Sequence, residues 1–237
     1  MTLKPFQLHH YGDIEVLTWD LDALSVSEQD LEEWLPEDEL RLTRRGRQAE
    51  VRRRRAVGRA VVRTTLGSRL GREPKDLLFS LGPYGKPSLP GGPSYNVSHS
   101  GSYLALALRP IGRVGVDLEV VQRSGDLEGV ARRHFSTEEW EGMRAHPQDT
   151  TRAFFRIWVR KEAFIKATGA GLSADLQAFS VSALEAEPGL NTLRRLDLSG
   201  EALTDWTVAP IRTPHGTEGA LAWDIPGAPP GQTEGQA

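Results

Sequence analysis

The chain has 237 residues, 38% hydrophobic and 26% charged, with 29 Lys and Arg against 32 Asp and Glu and a net charge of −3. That size suits one large domain or two smaller ones that share a core. Cysteine is absent, which excludes a disulfide framework, thiolate metal sites and a cysteine nucleophile, and the near-balance of charge argues against a chain that coats nucleic acid or is steered to a membrane.

The first residues, MTLKPFQLHHYGDIEV, lack a basic stretch followed by an apolar core. No apolar run approaches the roughly 20 residues that span a bilayer, so a soluble, cytoplasmic protein is expected. From Leu8 to Leu21, alternation around Ile14, Val16, Leu17 and Trp19 predicts a first strand. The run SEQDLEEWLPEDELRL opens with Ser27 and Asp30 at capping-box spacing, and Pro36 divides it into two helical pieces.

Residues 48 to 70 predict one longer helix. Ten arginines lie between Arg41 and Arg63 against one acid, Glu50. Val57, Ala60, Val61 and Thr64 form a packing stripe there, so at least half of these arginines are expected in solvent or paired with the acidic stretch at 28–39. Nucleic-acid binding fits poorly, since aromatics are not interleaved and the net charge is negative. A small polyphosphate is the more economical ligand, because Arg forks match phosphate oxygens bidentately.

Between Gly71 and Pro93 the chain is rich in Gly and Pro, a loop with short extended pieces. Within it YGKP, Tyr84 to Pro87, presents Lys86 between a flexible and a rigid neighbour. Strands YNVS and YLALAL follow, with His99, Ser100 and Gly101 as turn residues between them. In NVSHSG, His99 sits at a strand end where its imidazole can donate to a phosphate. A Ser98 or Ser100 nucleophile with His99 as base is disfavoured, because adjacent strand residues face opposite ways and no Gly-x-Ser-x-Gly elbow is present.

A strand at 114–121 precedes helices near 127–134 and 137–145. A long helix is expected from Gln148 to Thr168, stopped by Gly169 and Gly171. Strands near 178–184, 203–210 and 219–224 complete the chain, and the tail GAPPGQTEGQA has no apolar content to bury and is expected to be disordered.

The stretch GVDLEV, residues 115 to 120, puts Asp117 and Glu119 on one face of a strand, with Val116, Leu118 and Val120 directed to the core. A solvated face, pairing with Arg and a divalent cation each account for the two acids. In FFRIWVRKEAFIKATGAGL, Phe154, Ile157, Trp158, Phe164 and Ile165 mark a buried stripe, with Lys161, Glu162 and Lys166 beside it. Glu162 and Lys166 also fit an ordinary surface pair at helical spacing. Magnesium takes carboxylate, water and phosphate oxygens in near-octahedral geometry. Asp117, Glu119 and Glu162 form such a set, and an adjacent lysine would stabilise a transferring phosphoryl group. Attack at a phosphate is the chemistry this suggests.

In order, YGKP, NVSHSG, GVDLE, FSTEEW and WVRKEAFIKATGAGL resemble the motifs of Sfp-type 4′-phosphopantetheinyl transferases, over residues from about 40 to 180. The resemblance implies an α+β fold of two pseudo-symmetric halves, each a small antiparallel sheet packed with helices, with a ligand cleft between them. The halves would be 1–110 and 111–225, followed by a tail at 226–237. It implies transfer of 4′-phosphopantetheine from coenzyme A to a serine of an acyl or peptidyl carrier protein, with release of 3′,5′-ADP. Asp117, Glu119 and Glu162 would hold Mg²⁺, with Mn²⁺ as an alternative, and Glu162 would deprotonate the serine. Lys161 and Lys166 would contact coenzyme A phosphates and stabilise developing charge. Lys86, Ser98 and His99 would bind the nucleotide end, with Arg54 first and Arg45 second from the basic helix. Glu139, or Glu138, occupies a family position near the metal. Val159 and Arg160 depart from the smaller or polar residues usual there and bear on packing or carrier docking. A monomer without nucleic-acid or membrane partners is expected. A coenzyme A-binding regulatory module and a metal-dependent phosphoesterase are the competing readings.

Overall fold

Gly12 turns the first apolar run back on itself. Strands β1 (Gln7–Tyr11) and β2 (Ile14–Asp20) pair antiparallel with Tyr11 opposite Ile14, so Gly12 and Asp13 are the whole loop. Gly12 has φ of 62°, the left-handed backbone that lets a two-residue loop match the twist of its strands. The single strand expected over 8–21 is therefore a hairpin.

The computed structural model describes residues 3–122, 125–145, 147–171, 175–182, 193–196 and 206–225, and the chain divides into two units after Pro110. In the first, β5 (Ser94–Ser100) and β6 (Tyr103–Arg109) complete an antiparallel sheet of order β1-β2-β6-β5. Ser100 pairs with Tyr103, so His99 and Ser100 belong to the strand, and the turn falls on Gly101 and Ser102. A short hairpin, β3 (Ser80–Leu81) with β4 (Pro87–Ser88), carries YGKP in its turn.

Helices α1 (Glu28–Trp34) and α2 (Glu37–Thr43) are separated at Leu35 and Pro36, and the Ser27–Asp30 capping box is formed. The long helix α3 (Ala49–Leu70) stops at Gly71, whose φ is 62°. Its Val57, Val61 and Leu66 pack against Leu17, Trp19, Leu104 and Leu106 of the sheet, while Ala56 and Ala60 meet Leu31, Trp34 and Leu40 of α1 and α2.

The second unit contains β7 (Val114–Val120), α4 (Leu127–His134), α5 (Thr137–Arg144), α6 (Thr150–Thr168), β8 (Phe179–Val181), β9 (Leu193–Leu196), β10 (Trp206–Pro210) and β11 (Thr217–Asp224). An antiparallel sheet of order β10-β11-β7 forms one layer, and β8 pairs separately with β9, a strand the sequence reading did not anticipate. Residues 183–184 and 203–205 of the expected strands, and the expected tail at 226–237, lie outside the described residues. Ala153, Phe154, Ile157, Ala163 and Phe164 of α6 share a core with Phe179, Trp206, Val208, Ala220 and Ala222.

Helix and strand backbones meet at Gly115. A Cβ there would lie 2.1 Å from the Ala163 carbonyl oxygen and 2.4 Å from the Ala167 nitrogen, so only glycine lets α6 rest this closely on β7. Both atoms are backbone, and no side-chain rotation relieves the clash. Gly115→Ala is expected to lower the unfolding free energy by about 2 kcal/mol or more, read as a shifted urea midpoint. A wild-type midpoint would mean that the helix lifts from the strand without cost.

Candidate metal and phosphate site

Strand alternation and register decide what the acidic pair faces. Gly115, Asp117 and Glu119 project with their cross-strand partners Ala222, Ala220 and Glu218, and Ala220 and Ala222 belong to the core shared with α6. The acids therefore lie on the helix-covered face, with Asp117 only 3% exposed and Glu119 half-buried. This overturns the solvated-face reading. Val116 and Leu118 are buried as expected, while Val120 is half-buried, so both faces of most of β7 are covered.

α6 delivers the third carboxylate and a cation. Lys166 Nζ stands 2.6 Å from Asp117 Oδ1. Burial pushes the Glu162 carboxyl above its ordinary range, and the charges of Asp117 and Glu119 push it further while Lys166 opposes them. Lys166 thus offsets charge on both Asp117 and Glu162, in a half-buried setting where like charges are poorly screened. The all-oxygen, net-negative donor set fits a hard divalent cation such as Mg²⁺ or Mn²⁺. Asp117, Glu119 and Glu162 are the residues that would hold it, although no three acidic or imidazole side chains among the described residues already stand close enough to share one ion.

A fourth carboxylate escaped the sequence reading. Glu218 of β11 lies opposite Glu119, and Arg152 Nη1 reaches it at 3.0 Å, with Arg156 Nε at 3.6 Å. The N-terminal part of α6 thereby offsets its charge. Alternation in TEGALAWD places Glu218 with Ala220 and Ala222, but its pairing with Glu119 depends on a register that strand pattern leaves open.

Lys161 is a correction. Expected at coenzyme A phosphates, it is fully buried, with Nζ 2.8 Å from Glu139 Oε2 and 2.6 Å from the carbonyl oxygens of both Leu176 and Phe179. It sits one residue from Glu162, about 100° around the helix, and that rotation turns it inward. Glu139 is likewise internal. It is the third residue of the α5 capping box, accepting from Ser136 N at 2.8 Å and Val181 N at 2.7 Å, so its position is structural. Val159 and Arg160 are both 1% exposed, and Arg160 donates to the Ser182 carbonyl, so both bear on packing.

The basic helix is also largely committed to the fold. Arg54 forks onto Asp22, with Nε 2.9 Å from Oδ1, and its Nη2 also reaches Glu50. Its hydrogen bonding holds Asp22 below the usual carboxylate range. A phosphate at Arg54 would have to displace these carboxylates. Arg44 lies against Glu28 and Glu32, and Arg59 and Arg63 against Glu39, so part of the acidic stretch is paired with these arginines. Arg45 is exposed. Lys86 is half-buried in the β3–β4 turn. Ser98 is buried and His99 exposed on successive positions of β5, so the structure does not bring their side chains to one face.

The model of the 4′-phosphopantetheinyl transferase superfamily matches residues 113–222, the stretch holding all three proposed metal ligands. The 4′-phosphopantetheinyl transferase HetI of Nostoc sp. is 37% identical over 193 residues, 78% of this chain and 81% of that protein. The 4′-phosphopantetheinyl transferase Sfp of Bacillus subtilis is 37% identical over 133 residues, 54% of this chain and 57% of Sfp. The L-aminoadipate-semialdehyde dehydrogenase-phosphopantetheinyl transferase of Homo sapiens is 31% identical over 167 residues, 63% of this chain and 54% of that protein.

A carboxyl whose proton affinity rises on folding loses stability for the fold when it ionises. Because burial and the neighbouring acids raise Glu162, its ionisation costs stability as pH climbs from the ordinary glutamate value through the raised one. Glu162→Gln should therefore melt at a higher temperature than the wild type at pH 7 in EDTA, with the difference shrinking as pH falls below that window. A lower melting temperature at pH 7 would mean that the ionised carboxylate is favourably held.

Proposed function

The chain belongs to the 4′-phosphopantetheinyl transferase superfamily, and from that premise we propose that it moves 4′-phosphopantetheine from coenzyme A to a serine of an acyl or peptidyl carrier protein, releasing 3′,5′-ADP. The observation that carries this reading is the crowding of Glu162 by Asp117 and Glu119 beside Lys166. Such a group suits a pyrophosphate brought in with a divalent cation. Mg²⁺ or Mn²⁺ held by the three carboxylates would supply charge neutralisation at the phosphate oxygens.

Glu162 takes the proton of the carrier serine, and burial beside Asp117 and Glu119 makes it a stronger base than an ordinary glutamate. The serine oxygen bonds to the phosphorus that bears pantetheine. The bond from that phosphorus to the bridging oxygen breaks, and the electron pair leaves on 3′,5′-ADP. Lys166, already beside Asp117, stabilises charge developing on the phosphates. Lys86, Ser98, His99 and Arg45 are the proposed contacts for the nucleotide end, with Arg54 joining only by exchanging Asp22 for phosphate. Lys161 contacts no substrate. Pseudo-symmetry belongs to this reading, since each unit sets one long helix, α3 or α6, against an antiparallel sheet, as does action as a cytoplasmic monomer.

Intact mass spectrometry of an apo carrier protein incubated with this protein, coenzyme A and Mg²⁺ tests the proposal. A phosphopantetheine-sized gain that EDTA removes, and that Asp117→Asn abolishes, is expected. Coenzyme A binding with no gain on fatty-acid, polyketide or peptide carriers would favour a binding module, and nucleotide hydrolysis without a carrier would favour a phosphoesterase.

A further inference from the structure

We propose that the buried Glu139–Lys161 pair is a positioning device that fixes the rotation of α6 about its axis, so that Glu162 is presented to Asp117 and Glu119. This rests on the metal-site reading above. Lys161 Nζ has three anionic or carbonyl acceptors, Glu139 Oε2 and the oxygens of Leu176 and Phe179, and it lies 4.2 Å from the centre of the Phe179 ring. An ammonium has three N–H donors, so its hydrogen-bonding capacity is met from fixed directions.

The acceptors are themselves held. Glu139 is fastened to the Ser136 and Val181 amides, and Ser136 Oγ is 2.7 Å from Ser180 Oγ. One network therefore joins the start of α5, the turn at Leu176–Ala178, β8 and α6. Apolar contacts such as Phe164 on Trp206 bury the helix without fixing its rotation sharply, because hydrophobic burial is non-directional. Hydrogen bonds are directional. Turning α6 enough to swing Glu162 from the strand acids would pull Nζ from its acceptors and leave a buried carboxylate without its counterion.

Stability alone does not account for the pair. Glu139 is 1% and Lys161 0% exposed, and fully buried ion pairs are commonly replaced by apolar side chains without loss of stability. What an apolar replacement lacks is orientation. In metal sites, outer groups that orient a ligand typically change metal affinity or activity by about 10–100-fold.

The test compares the wild type with Glu139→Gln/Lys161→Met by thermal melting, by electron paramagnetic resonance of free Mn²⁺, and by steady-state transfer to a carrier. The expected double variant melts at or above the wild-type temperature, yet binds Mn²⁺ about 10-fold or more weakly and loses kcat to a similar degree with KM for coenzyme A unchanged. Wild-type Mn²⁺ affinity and kcat in the folded double variant overturn the proposal. Should that variant not fold, Glu139→Asp and Glu139→Gln carry the comparison. Metal affinity retained better by the charge-keeping Asp supports positioning, and affinity that merely follows melting temperature overturns it. A wild type that binds Mn²⁺ but transfers nothing overturns the transferase reading and leaves the affinity comparison standing. Mn²⁺ binding unaffected by Asp117→Asn overturns both.

Discussion

The contact between the α6 and β7 backbones at Gly115 is the constraint on which the candidate site depends. With no Cβ on the strand, helix and strand approach to a distance that places Lys166 Nζ on Asp117 and brings the charges of Asp117 and Glu119 to bear on Glu162. Two consequences follow from the one contact. The carboxylates are taken partly out of water, which strengthens their repulsion, and the helix that covers them must supply compensating charge. It does so through Lys166, Arg152 and Arg156. Glu162 is the exception, a further negative charge on the same helix, and it is the group whose proton affinity rises.

Charge in the first unit has a different fate. The arginine-rich stretch is the strongest local bias in the sequence, yet much of it is spent on the fold. Arg63 is 4% exposed and bonds to Glu39 and to the carbonyl oxygens of Pro74 and Leu77. Arg53 donates to the carbonyls of Leu21 and Leu24. Pairing with the acidic stretch, expected from the packing stripe, is formed at Arg44, Arg59 and Arg63, and tethering of loop carbonyls by Arg53 and Arg63 adds to it.

Local signals were legible in the sequence because their physics is local. The Ser27–Asp30 capping box, the break at Pro36 and the glycine stop of α6 each depend on a few successive residues, and each is formed. The Gly12 hairpin was missed because its strands read as one apolar run, although the Gly-Asp pair carried the turn signal. The face of the acidic pair was the deeper difficulty. Alternation shows that Asp117 and Glu119 share a face, but not that a helix covers it, because that depends on pairing between β7 and β11 across about 100 residues of chain. Lys161 and Glu139 were read as site residues for the same reason, since a charged residue beside a functional motif looks alike whether its partner is a ligand or a buried carboxylate.

Lys161 and Glu162 state the problem in its sharpest form. They are consecutive on one helix, both charged, and their environments are nearly opposite, since the ammonium is wholly enclosed with fixed acceptors while the carboxylate is half-buried among like charges. Helical geometry requires this, because a rotation of about 100° per residue puts neighbours on different faces. It also lets one serve the other. A carboxylate crowded by like charge is pushed away from them, and a helix held only by apolar packing has freedom to yield to that push. An anchor one residue away, on the side facing the core, resists it without occupying space at the site.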